Sequence, residues 1–131
     1  MSDDDLTIDE RTAMTDQISA AITSHVSWKN RLKSAIDTGK SEWPPDFVAP
    51  CNNCEFGKWL DAMPATQQTE HYRFIHDIHA QFHQEAAEVL GLALKGERDA
   101  AERRIGPGSR YNDLTTELIM GAGMWISVIR D

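Results

Sequence analysis

Three stretches of the chain repeat their apolar positions at helical spacing. Met14, Ile18, Ala21, Trp28, Leu32 and Ile36 all fall within about 60° of His25 on a wheel turned by about 100° per residue. Tyr72, Ile75, Phe82, Ala86, Leu90 and Ala93 cluster in the same way around His79. Tyr111, Leu114, Leu118, Ala122, Trp125 and Ile129 make the third stripe. No β-type alternation of useful length is present, and no internal repeat.

Local signals set the boundaries. Thr7-Ile8-Asp9-Glu10 has the form of a capping box, so a helix starts there and runs to about Thr38, with Gly39 as its stop. Pro44, Pro45 and Pro50 exclude its continuation. A short helix over roughly 53–63 follows, closed by Pro64. Residues 65–95 contain no proline and read as one helix, ended by Gly96. A shorter helical piece over 97–105 is interrupted by Gly106-Pro107-Gly108, and Ser109 caps a last helix reaching Arg130. The expected fold is all-α: an antiparallel four-helix bundle with a short extra helix.

Composition narrows the function. Thirteen Lys and Arg stand against 21 Asp and Glu, a formal charge of −8, which argues against a nucleic-acid surface. A hydrophobic fraction of 40% supplies one core. Asp3, Asp4 and Asp5 open an acidic tail, expected to be solvated, so that 1–12 is a flexible tail and helix start and 13–131 is the domain. The opening residues lack the basic and apolar regions of a signal peptide. The longest uncharged run, between Glu117 and Arg130, is shorter than the roughly 20 residues a bilayer requires. A cytoplasmic protein without membrane insertion is expected, its two cysteines reduced.

Candidate chemistry lies on the apolar stripes. His25 sits near the middle of the first, where a lone core histidine is ordinarily satisfied by a nearby hydroxyl or carbonyl. On the second, His79 and His83 are four residues apart on one inward face, where two imidazoles can share one ion. His71 and His76 fall to the flanks and read as surface or rim residues. Spacing alone leaves the metal open, because H-x3-H is common by chance.

Cys51-Asn52-Asn53-Cys54 supplies two thiols. Cys54 and His79 are too far apart for a zinc finger, and no β-hairpin or βαβ pattern surrounds the pair. Cys54 opens the short helix Cys54-Glu55-Phe56-Gly57-Lys58-Trp59-Leu60, and a helix N-terminus favours the thiolate that a metal requires. Buried as a small hydrophobe is the other reading of Cys54. Gly57 is expected to let another helix approach closely. Cys51 reads as a free peripheral thiol.

Three local patterns then occur together: His25-Val26-Ser27-Trp28-Lys29-Asn30-Arg31-Leu32, Cys54-Glu55-Phe56-Gly57-Lys58-Trp59-Leu60, and His79-Ala80-Gln81-Phe82-His83. In this order and at these separations the chain strongly resembles the CZB family, the chemoreceptor zinc-binding domain of bacteria, over roughly 18–129. The resemblance implies a four-helix bundle holding one Zn²⁺ through His25, Cys54, His79 and His83. It implies a sensory or regulatory domain, not an enzyme, controlling a chemotaxis or cyclic-di-GMP output through an effector in cis or in trans. Some family members sense hypochlorous acid through the zinc-bound cysteine, which Cys54 would be here. Cys51 is a departure, since the usual motif does not ask for it.

Two readings compete with this one. A di-iron enzyme needs paired Glu-x-x-His motifs that the chain lacks. A metal-free interaction module needs both His79 and His83 satisfied without an ion. Separately, Ile119, Met120, Met124, Ile126 and Val128 make the last helix apolar on nearly every side, which predicts a homodimer with this helix near its interface.

Overall fold

In a computed structural model, residues 6–130 are described; the acidic run Asp3–Asp5 lies outside them. Among the described residues there are six α-helices and no strand: α1 (Ile8–Thr38), α2 (Pro45–Val48), α3 (Glu55–Asp61), α4 (Glu70–Leu94), α5 (Arg98–Arg104) and α6 (Arg110–Arg130). The all-α bundle is what the three stripes require. Each long helix has one apolar face, and the three faces close on one another.

The ends follow the local chemistry. Thr7 Oγ1 accepts from the Glu10 amide and the Glu10 carboxylate accepts from the Thr7 amide, both at 3.0 Å. Gly39 ends α1 in the left-handed region, at φ 71°. The Ser109 hydroxyl accepts from the Asn112 amide at 3.2 Å where α6 begins. α4 starts later than its proline-free run suggests. Pro64 leads into a single 3₁₀ turn, Ala65–Gln67, and Thr69 then caps α4 through the Tyr72 amide. Absence of proline permits a helix over 65–69, but a competing cap decides where it begins.

α1, α4 and α6 form the body of the bundle. α6 runs antiparallel to α4, since Tyr111 meets Phe82 and Trp125 meets Tyr72. It is antiparallel to α1 as well: Arg11, at the start of α1, donates to the Ile129 carbonyl near the end of α6. α5 is a two-turn fourth member, cut short by Gly106-Pro107-Gly108 and tied back by ion pairs. Its Arg104 makes a bidentate pair with buried Glu85 of α4 at 2.9–3.0 Å, and Arg98 reaches Asp37 of α1 at 3.0 Å.

The crossover from α1 to α4 carries α2 and α3, which lie against α4 beside α1. Asn53 Nδ2 donates to the Phe47 carbonyl at 2.8 Å and joins α2 to the turn before α3. Tyr72 donates to the Leu60 carbonyl at 2.8 Å and joins α3 to α4. These bonds hold the loop that presents Cys54 to the bundle. Among the described residues no helix is long and apolar enough to cross a membrane.

Candidate metal centre

His25 on α1, Cys54 ahead of α3, and His79 and His83 on α4 bring one donor atom each to within 4.8 Å of one another. The three histidines are buried and Cys54 is half-buried. The wheel reading of α1 and α4 predicts this inward placement, because each histidine occupies a position that an aliphatic residue would otherwise fill. His71 and His76 are half-exposed and outside the cluster, as their flank positions predict; His76 lies 3.9 Å from Asp61 and 3.6 Å from Asp77.

Second partners fix how the rings face. His25 Nδ1 is 2.7 Å from the Ala21 carbonyl, one turn back on α1. His83 Nδ1 is 2.9 Å from the Val48 carbonyl of α2. A carbonyl only accepts, so both Nδ1 atoms carry the proton and both Nε2 atoms are bare. The bare His25 Nε2 is buried with no hydrogen-bond partner among the described residues. His83 Nε2 faces His79 Nε2 at 3.1 Å, and His79 Nε2 faces Cys54 Sγ at 3.3 Å.

Protein groups alone satisfy this arrangement poorly. Three ring nitrogens and a sulfur converge, and at least two of the nitrogens are lone pairs without a proton between them. Zinc bonds of about 2.0–2.1 Å to nitrogen and about 2.3 Å to sulfur place tetrahedral donors about 3.3–3.6 Å apart. The spacings of 3.1 and 3.3 Å lie close to that range. A cation at the centre would give each lone pair a partner, and the Nδ1 bonds of His25 and His83 would then serve as the outer contacts that orient the imidazoles. His79 is the exception. Its Nδ1 is buried without a partner among the described residues, a cost of about 1–3 kcal/mol that a bond at Nε2 would have to offset.

The electrostatics agree with neutral nitrogen donors. Burial depresses His25 to about 4, against the opposing pull of the Ala21 carbonyl. Burial lowers His79 further, with His25, His83 and His76 adding to the effect. His83 is lowered by burial too, opposed by its bond to Val48. Burial pushes the Cys54 thiol up, while the Gly57 and Phe56 amides pull it down. A cation must therefore displace the thiol proton, as zinc does at cysteine.

Cys54 is positioned by its own helix. It is the N-cap of α3, and the Gly57 amide donates to Sγ at 3.3 Å. Gly57 is indispensable to this turn, though not for the expected reason. What comes close is the Cys51–Asn52 backbone, not another helix: a Cβ on Gly57 would stand 1.8 Å from the Cys51 carbonyl oxygen. Phe56, buried beside Cys54, places its ring edge-on to His79 at 5.2 Å and to His25 at 6.0 Å, closing the apolar side of the cluster. The contribution of Val48 is a backbone carbonyl from a four-residue helix, and no side-chain pattern announces it.

The chemoreceptor zinc-binding domain family, CZB, matches the chain over residues 25–90, half of its length, a span that begins at His25 and includes Cys54, His79 and His83. No curated protein and no solved structure matches the chain.

Proposed function

Since the chain belongs to the chemoreceptor zinc-binding domain family, a family of regulatory signalling domains, we propose that it holds one Zn²⁺ through His25, Cys54, His79 and His83 and works as a sensor. Zn²⁺ as the cofactor rests on the family and on the cluster together. The observation that carries the ligand set is the convergence of the His25, His79 and His83 Nε2 atoms and Cys54 Sγ, with the unpartnered His25 Nε2 among them.

Four protein donors fill a tetrahedral shell and leave no position for an activated water, so the site is regulatory and not hydrolytic. One thiolate and three neutral imidazoles leave a net charge of +1. The bound ion would tie α1, the α2–α3 crossover and α4 into one unit, because His83 also grips Val48. Gain or loss of metal then changes how firmly the crossover is held, and an effector in cis or in trans reads that change. The output is of the chemotaxis or cyclic-di-GMP kind.

Elemental analysis tests the assignment. Purified protein is expected to carry one zinc per chain, and His83→Ala and Cys54→Ala each to lower the affinity by at least 10–100-fold. Full zinc content in both variants would remove the ligand set.

A second reading, in which the zinc-bound Cys54 senses an oxidant such as hypochlorous acid, is favoured by one observation. Cys54 and His83 both line a cleft of about 290 Å³ that opens beside Trp28, Trp43 and Phe47, so small molecules can come up to these two residues.

The sensor is proposed to act as a homodimer. Met120 and Met124 on α6 are 63% and 60% exposed, more than a core helix would leave. The exposed Phe74 of α4 packs its ring against Gly121 of α6, widening the apolar strip. Sedimentation is expected to give a dimer at micromolar concentration, and Met120→Glu with Met124→Glu to give a monomer that still binds zinc. A monomeric parent chain would dismiss the dimer.

A further inference from the structure

We propose that Cys51 is the resolving thiol for Cys54: a two-electron oxidant of the hydroperoxide class converts the pair to a disulfide and so withdraws the sulfur donor reversibly. The proposal rests on Cys54 being a zinc ligand. It gives a role to the one cysteine that the ligand set leaves unused.

Geometry brings the two cysteines together through the backbone of one turn. Cys51–Asn53 is a single 3₁₀ turn, and Cys54 follows it directly. In such a turn residues three apart eclipse, with a rise of about 2 Å each, so the two Cα atoms are about 6 Å apart. That lies inside the window of about 4.4–6.8 Å that a disulfide spans. The Cys54 side chain is folded back over this turn, with Sγ 3.4 Å from the Cys51 carbonyl oxygen. Both cysteines are free and half-buried. Cys54 and Arg31 both line the cleft that a small oxidant can enter, the Arg31 guanidinium lying 5.1 Å from the Trp28 ring and 4.9 Å from the Trp43 ring.

The chemistry balances with the peroxide as the only oxidant. Cys54 sulfur donates an electron pair to one peroxide oxygen, the O–O bond breaks, and the departing hydroxide takes a proton to become water. Cys54 is now a sulfenic acid. Cys51 sulfur attacks Cys54 sulfur, the S–S bond forms, the S–O bond breaks, and the released hydroxyl leaves with the Cys51 proton as a second water. The sulfur pair has lost two electrons and the peroxide has gained them. A thiolate at the start draws one further proton from solvent. Three imidazoles remain at the site, without the anionic donor that made it tight. Dithiothreitol, itself oxidised to its cyclic disulfide, reduces the Cys51–Cys54 bond and returns both thiols.

Without Cys51, the sulfenic acid has no neighbouring thiol and proceeds to sulfinic acid, which dithiothreitol does not reduce. The experiment uses the full chain loaded with zinc, treated with hydrogen peroxide and quenched with N-ethylmaleimide. Cleavage after Lys40 and Lys58 leaves both cysteines in one peptide. In the parent chain this peptide is expected two hydrogens lighter and unalkylated, with zinc freed to a coloured chelator and loading restored by dithiothreitol plus zinc. Cys51→Ser keeps the backbone carbonyl over Cys54 and is expected to bind zinc like the parent, then to gain oxygen on Cys54 and fail to reload. A parent peptide carrying Cys54 sulfinic acid and an alkylated Cys51 would overturn the proposal, as would equal reloading of both proteins. A chain that holds no zinc before oxidant refutes the ligand assignment instead. The peptide mass reports the Cys51–Cys54 bond whether or not metal is present.

Discussion

Stripping the metal with a strong chelator is expected to lower the thermal midpoint by about 15 °C while leaving most of the helical signal intact. The size follows from linkage. At free zinc about a thousandfold above the dissociation constant, binding contributes about 4 kcal/mol of stability. For a domain of this length each kcal/mol moves the midpoint by about 3–5 °C. Helicity survives because α1, α4 and α6 bury their apolar stripes against one another without help from the ion. The crossover does not have that support. α2 has one buried residue, Val48, and α3 has three, Phe56, Gly57 and Leu60. Hydrogen exchange should accordingly rise most over residues 45–61 when zinc is removed, and least in α6. An unchanged midpoint and unchanged exchange would favour a metal-free helical module, in which the convergent histidines are merely core.

The parts of this site that sequence exposes are those carried by periodicity. His25, His79 and His83 replace aliphatic residues on stripes of apolar spacing, and a helix wheel finds them because burial depends on phase. His71 and His76 are excluded by the same phase. Cys54 is reached differently, by its position opening a helix and by the CZB motif, since one cysteine in a loop has no period. What escapes is whatever depends on backbone meeting backbone. The Val48 carbonyl that orients His83 comes from a segment whose prolines advertise only the end of α1. Buried Glu85 is invisible to a hydrophobic pattern, because Arg104 from α5, not apolar packing, makes its burial tolerable. Gly57 is legible as a close approach, but its partner is the loop preceding its own helix, a contact fixed by tertiary placement of the Cys51–Asn53 turn.

Gly57→Ala and Gly91→Ala are expected to change stability in opposite directions, although helix propensity treats them alike. In a helix interior alanine is preferred to glycine by about 1 kcal/mol. At Gly91, in α4, an added Cβ meets nothing within 4 Å among the described residues, so the substitution should raise the midpoint by a few degrees and leave zinc binding unchanged. At Gly57 the same methyl group would stand 1.8 Å from the Cys51 carbonyl oxygen and 2.7 Å from its carbon. Both are backbone atoms, so no rotamer change relieves the contact. Either α3 shifts away or the Cys51–Asn53 turn lifts, and overpacking of this kind costs about 1–3 kcal/mol. The cost falls on the metal as well as on the fold. Sγ is held by the Gly57 amide at 3.3 Å and lies 3.4 Å from the Cys51 carbonyl, so neither side of the turn can move without displacing the sulfur from His79. Second-sphere losses typically weaken metal sites by about 10–100-fold, and a displaced donor should reach at least the upper end. Competition titration against a chelator of known affinity, run on both variants beside the parent chain, gives the comparison. A Gly57→Ala protein with parental zinc affinity would mean that the turn is free to move, and that the sulfur is held by the metal and not by the polypeptide around it.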